Sequence, residues 1–273
     1  MTDSAIRIRS LAQLSGGQDW RLTLAHDRPE HLLFWITRGQ GRLLLNGQRR
    51  GTGTHNAVFV PARSLFALDV GRQGGGLVVS SQDGTALRLP DTPRQLRIRD
   101  IQSQAELMAL IETAQREQQA ARPLFHEAME AFGTLISVWL RRQMAQDEHV
   151  PPADNAAQRL SARYCKLISR DFTLSVTMAE HAEALSVTPT HLSRACKVAT
   201  GKTAADLMTE RVLWEARHLL STTKVPAQDI ARHLGFGSAA YFTRFVQQHT
   251  KMSPIALRKA ARRAASTPER RAP

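Results

Sequence analysis

Residues 225–254, VPAQDIARHLGFGSAAYFTRFVQQHTKMSP, confine the chain to few folds. They read as two short helices about a tight turn. Pro226 suits the first helical position and Asp229 the first turn, where a negative charge complements the helix dipole. Ile230, Ala231 and Leu234 give one small apolar face, and Gly235 ends the helix in a left-handed conformation. Ser238 caps the next helix, whose apolar face is Tyr241, Phe242 and Phe245. So short a Gly-containing turn predicts either a core helical hairpin or a helix-turn-helix whose second helix enters a DNA major groove.

An earlier copy decides between these. Thr177-x-x-Glu180 forms a capping box for a helix over 178–185, and a turn follows at Ser186-Val187. Thr188 then caps a helix with Pro189 at its first position and Leu192, Ala195 and Cys196 on its apolar side. The first copy contains L-x-V-x-P-x2-L-S-R (185–194) and the second I-A-x2-L-G-F-x4-Y-F-x-R (230–244). Arg194 and Arg244 fall at corresponding places, 50 residues apart. A longer helix over 203–221 joins the units, with Leu207, Val212, Leu213, Ala216, Leu219 and Leu220 as its stripe.

Charge follows the same division. Residues 1–156 carry 18 Arg, no Lys and 16 acids; residues 157–273 carry 19 Lys plus Arg against 8 acids. The near-neutral first half and basic second half predict a polyanion-binding C-terminal domain. The two cysteines, Cys165 and Cys196, lie in helical patterns without a CxxC or Cys/His cluster, so they read as reduced packing residues rather than zinc ligands. The opening MTDSAIRIRS lacks the apolar core of a signal peptide, and no uninterrupted apolar run approaches the roughly 18 residues of a membrane span. The expected location is the bacterial cytoplasm, with no membrane partner.

Residues 1–100 alternate short apolar runs with turn residues. Strands are predicted over 31–37, 42–45, 57–60, 65–70, 77–81, 87–89 and 96–98, with a hairpin at Asn46-Gly47 and a flexible segment over 71–76. Such spacing predicts a barrel or sandwich. His26, His31 and His55 are scattered without a His-x-His pair, so no metal site is expected. There is no phosphate loop, nucleophile elbow or catalytic dyad, so neither an enzyme activity nor a cofactor is expected. A barrel interior can still hold one small ligand. Trp35, Arg42, Phe59 and Arg63 are the candidate lining. Alternation does not fix which face points inward, so core packing stays open for Trp35 and Phe59.

Residues 101–146 are predicted as a helical bridge. A helix over 100–121 precedes another opened by Pro123, with Leu124, Ala128, Ala131, Phe132, Leu135, Ile136 and Trp139 as one apolar stripe. The stripe packs on the barrel or on the same helix of a second subunit; a homodimer is the expectation. Residues 147–156 read as the linker, 157–262 as the DNA-binding domain with its units at 177–199 and 226–249, and 263–273 as a disordered basic tail.

ARHLL (216–220), DIARHLGF (229–236), SxxYFxRF (238–245) and SPxxLR (253–258), in this order and spacing, resemble the AraC/XylS family of bacterial transcription regulators. The resemblance covers residues 160–262. It implies an α+β multidomain protein: a cupin-like effector-binding β-barrel, a helical linker and an all-α domain with two helix-turn-helix units. It places recognition helices at 188–199 and 238–249. Thr190, Ser193, Arg194 and Lys197 would face DNA in the first, and Ser238, Ala240, Thr243, Arg244 and Gln247 in the second. Cys196 and Val246 stand where members commonly carry Phe, and Ala239 and Ala240 offer no side-chain hydrogen bonds. The tract HLSRACKVATGKTAADLMTER (191–211) resembles regulators of aromatic-acid catabolism.

The function so implied is a sequence-specific, effector-responsive transcription activator of a catabolic operon. Its partners would be double-stranded promoter DNA, a small-molecule effector and RNA polymerase. The rivals are a metal-dependent cupin enzyme fused to a DNA-binding domain and a ligand-independent architectural DNA binder.

Overall fold

A computed structural model describes residues 5–146 and 154–266. The N-terminal half is built on two antiparallel sheets. Its strands are β1 (Ile6–Ser10), β2 (Glu30–Arg38), β3 (Gln40–Leu45), β4 (Gln48–Gly53), β5 (Asn56–Val60), β6 (Phe66–Asp69), β7 (Gly75–Gln82) and β8 (Arg94–Arg97). Two short helices, α1 (Leu11–Ser15) and α2 (Trp20–Thr23), follow β1. The larger sheet has the order β1-β7-β2-β5-β8 and the smaller β4-β3-β6. The sheets do not close into one barrel; they face each other as a sandwich.

Strand alternation sorts the apolar side chains into two cores. Leu32, Phe34 and Ile36 of β2 fill the space between the sheets with Leu43, Leu45, Phe66 and Leu68 of the smaller one. Leu33 and Trp35 face the other way, into a core with α3 (Ile101–Ala120) and α4 (Phe125–Gln146). Asp100 caps α3 through Ser103 N–H. Gly133 lets α4 approach the sheet closely: a Cβ there would lie 2.8 Å from Ile6 Cδ1.

Three sequence expectations need correction. Residues 87–89 form no strand, whereas β1 and β4, which the apolar runs did not announce, do form. The single apolar stripe expected from Leu124 to Trp139 does not hold: Ile136 and Trp139 are buried against the sheet, Leu135 is exposed on another face of α4, and Leu124 is exposed before the helix begins. Residues 263–266, expected in the tail, continue a helix. The remainder of that tail and residues 147–153 of the expected linker lie outside the described residues.

The C-terminal half is helical: α5 (Ala156–Arg170), α6 (Met178–Ala184), α7 (Pro189–Thr200), α8 (Ala204–Thr222), α9 (Ala227–His233), α10 (Ala239–Thr250) and α11 (Pro254–Ser266). Its core continues into the N-terminal half, since Ala25, Leu44, Leu65 and Ala67 pack with Tyr164, Leu192, Leu207 and Phe242 in one apolar cluster. The outer face of the smaller sheet thus rests on the helices.

Candidate DNA-binding face

Local chemistry sets both helical units. Thr177 accepts from Glu180 N–H and Glu180 returns a bond to Thr177 N–H, closing the capping box of α6. Thr188 Oγ1 accepts from His191 N–H at 3.2 Å at the start of α7, with Pro189 in its first turn. Ser238 Oγ accepts from Tyr241 N–H at 3.1 Å at the start of α10. Pro226 proves to be the N-cap of α9 rather than its first residue. The α6–α7 turn carries Ser186 at φ 58°, and the α9–α10 turn carries Gly235 at φ 78°. A Cβ on Gly235 would stand 2.6 Å from Ser175 N, so this turn needs glycine for both its conformation and its close approach.

The caps leave one side of each second helix open. Thr190, Arg194 and Lys197 on α7 are exposed and Ser193 is half-buried. Ser238, Ala240, Arg244 and Gln247 on α10 are exposed and Thr243 is half-buried. The opposite faces hold the units together, through Leu192 and Cys196 on α7 and Phe242 and Val246 on α10. Phe236 packs against Phe242 and Phe245, with ring centroids 5.1 Å from each. Burial pushes the Cys196 thiol up to about 11, so it behaves as an apolar group here. Among the described residues no carboxylate pairs with Arg194 or Arg244. These guanidiniums are available to phosphate oxygens or to the O6/N7 edge of guanine.

The four candidate effector residues are not brought together. Trp35 lies under the helices, edge-on to Trp139 with centroids 6.4 Å apart. Phe59 is in the same core and lines a cavity of about 20 Å³ beside α4, room for little more than a water. Arg42 borders a cleft of about 220 Å³ with Arg49 and Lys202, and Arg63 borders a different cleft between the halves. The three histidines named as possible ligands are also apart. His26 lies between Phe66 and Trp214, His31 Nε2 lies 3.6 Å from Asp83 Oδ1, and His55 stacks on Trp35. Among the described residues no group of three or more His, Cys, Asp or Glu could hold a metal ion, and no helix is long and apolar enough to cross a membrane.

Sequence reasoning missed the contact that ties the halves together. One face of α8, the helix joining the two units, is gripped by residues 20–27. Arg211 is buried; its Nε donates to Asp27 Oδ1 at 2.6 Å and its Nη1 to Glu215 Oε2 at 2.8 Å. The Arg211 guanidinium also lies 3.8 Å from the Phe172 ring centroid. Trp214 Nε1 donates to Arg21 O at 3.1 Å, and its ring stacks between His26 and His218, with centroids at 4.6 and 4.9 Å. Ala25 N–H donates to Glu210 Oε2, which also accepts from Lys202 Nζ. Nearer the N-terminus of α5, Ser161 Oγ donates to Gly47 O at 2.7 Å. No periodicity marks Asp27 or His26, and nothing local to α8, which carries several other charged side chains, sets Arg211 and Trp214 apart as a docking surface.

A two-sheet domain is clamped to the helix between two capped helix-turn-helix units, each with an arginine on its exposed face that no carboxylate of the described residues pairs. Residues 181–260 match a family model described as "Helix-turn-helix domain". Over 130 residues the chain is 29% identical to the arabinose operon regulatory protein of Escherichia coli, covering 47% of this chain and 43% of that one. It is 26% identical over 130 residues to the Salmonella typhimurium protein of the same name, covering 45% of that chain. The chain thus spans less than half the length of the curated relatives it matches. Among solved structures, ToxT from Vibrio cholerae covers 96% of this chain and 99% of its own at 12% identity and a TM-score of 0.43. The C-terminal domain of AraT, a response regulator from Geobacillus stearothermophilus, covers 39% of this chain and 88% of its own at 27% identity and a TM-score of 0.37. The chain is thus similar, through its helix-turn-helix region and over 130 residues, to these regulatory proteins.

Proposed function

We propose that the protein is a cytoplasmic transcription regulator that binds promoter DNA through α7 and α10 and responds to a small effector bound by its N-terminal half. The observation that carries this reading is the pair of capped recognition helices presenting unpaired Arg194 and Arg244. Phosphate contacts supply much of the affinity and make it salt-dependent. Ala239 and Ala240 leave the N-terminal edge of α10 without hydrogen-bonding side chains, so α7, with Thr190, Ser193 and Arg194, does more of the base discrimination. The grip on α8 offers a route for the signal, because a helix that spaces the two reading heads is held by the effector half.

The finer reading is an activator of a catabolic operon, for which an aromatic acid is the candidate inducer, acting with RNA polymerase. The exposed Leu135 on α4, with the exposed Leu124 just before the helix, supports a homodimer through this region. Footprinting on genomic fragments, followed by base-by-base substitution of the protected site, tests the DNA reading. A defined site with its larger effects in the segment contacted by α7 supports it. Uniform protection without sequence preference overturns it in favour of an architectural binder.

A further inference from the structure

A cleft of about 720 Å³ separates the two halves on the side of α5, within the size range of small-molecule sites. One wall is α5, where Arg163, Lys166 and Arg170 occur at i, i+3 and i+7 and so share a helix face. All three are exposed, and among the described residues none is paired with a carboxylate. The facing wall is the loop 61–65 together with residues 91–93. Arg63 in that loop has φ 57°, unusual for a side chain of its size, and its N–H donates to Arg28 O at 2.6 Å. Among the described residues its guanidinium pairs with Asp83, at 3.9 Å.

The lining carboxylates do not balance these charges. Asp27 is engaged by Arg211 and Arg63 lies near Asp83, which leaves Asp91 against Arg163, Lys166 and Arg170. Low-dielectric walls of like charge focus a positive potential and draw in anions. From Arg163 to Arg170 the helix rises about 10 Å, more than one phosphate group spans. Pro61, Leu65 and Ala162 add apolar surface for an organic body.

We propose that this cleft binds a small organic anion carrying two or more phosphate or carboxylate groups, bridging α5 and the 61–65 loop. Such a ligand stabilises the docked arrangement of the halves by mass action. The binding stands apart from the DNA reading; its role as the regulatory signal rests on that reading. The site is roofed by the N-terminal half and is too small for a duplex, which separates it from the exposed faces of α7 and α10.

Calorimetry on the full chain at fixed ionic strength tests it, with inorganic pyrophosphate in one arm and citrate in the other. One site per chain is expected in at least one arm, and the arm that binds identifies the acid group. Arg63→Gln, and separately Lys166→Gln with Arg170→Gln, should each weaken binding by about tenfold or more, because charge-assisted bonds are lost from opposite walls. The double variant should keep the salt slope of DNA binding. Absence of binding in both arms overturns the proposal, as does unchanged affinity in Arg63→Gln. A salt slope reduced by about 0.9 per removed charge also overturns it, by placing these cations on DNA phosphates. A chain that binds DNA but neither anion refutes this site alone; a chain that binds an anion but no specific DNA refutes the regulator and keeps the site.

Discussion

Arg211 and Asp27 meet across 184 residues of chain, the Arg211 Nε donating to Asp27 Oδ1 at 2.6 Å in the seam between the sandwich and α8. Burial raises the Asp27 carboxyl above its usual range, against the lowering effect of Arg211. Desolvation therefore outweighs the attraction, and the pair acts as a specific register between the halves more than as a source of net stability.

Removing one partner should cost far more than removing both. Arg211→Met leaves Asp27 and Glu215 without their shared cation and should destabilise the chain by about 3–5 kcal/mol in urea denaturation. Adding Asp27→Leu should recover a large part of that loss. If the double variant is as unstable as the single one, the seam depends on Arg211 packing over Phe172 rather than on charge pairing.

The reading heads should separate binding from stability. Arg194→Ala and Arg244→Ala remove exposed, unpaired side chains, so melting temperature should hold within experimental scatter. Each should weaken specific DNA binding by about 1–3 kcal/mol if the arginine reads a base. Unchanged footprints with both arginines replaced would remove them from the interface.

Gly235→Ala should damage the second unit selectively. The substitution places a Cβ 2.6 Å from Ser175 N at a backbone φ of 78°. The φ penalty alone is about 1 kcal/mol, and the backbone clash adds to it. Hydrogen exchange should show α9 and α10 opening more readily, with the sheet amides unchanged.

Acid should weaken the seam. His26 Nδ1 lies 2.9 Å from Leu24 O, and its Nε2 accepts from Arg28 Nε at 3.4 Å, an arrangement that fits the neutral ring protonated on Nδ1. Burial first, and then Arg28, hold the His26 pKa well below the ordinary histidine value; burial also lowers His218. Both groups bind protons more readily in the unfolded chain. Their effect is absent above the unfolded pKa of about 6.5; below it stability falls by about 1.4 kcal/mol per pH unit for the buried His26 ring until its folded pKa is reached, and by less for the partly solvated His218. Asp27, raised by burial, acts in the opposite sense at lower pH. Thermal melts from pH 7.5 to 5.5 should show the decline, and His26→Asn should flatten it. An unchanged slope in that variant would assign the acid sensitivity elsewhere.

The helix caps were legible because their partners are near in sequence. Thr177, Thr188 and Ser238 each bond an N–H three residues on, so a short window holds the whole interaction. Edge strands were harder. β4, QRRGTG, has no apolar run, and only the Asn46-Gly47 hairpin before it required a partner for β3. β1 alternates Ile with Arg over only five residues and gains its place by pairing with β7.

By itself the sequence determined the two helix-turn-helix units, their charge and their exposed arginines, because caps, turns and helical periodicity act over a few residues. The tertiary structure decided what faces what. Phe34 and Trp35 are adjacent and both apolar, yet one fills the space between the sheets and the other the core under α3 and α4. It also put Trp35 and Phe59 in one core, set Arg42 and Arg63 at two different clefts, and joined Asp27 to Arg211. Burial against a particular neighbour is a long-range property, and side chains of the same chemistry take different roles according to the surface folded onto them.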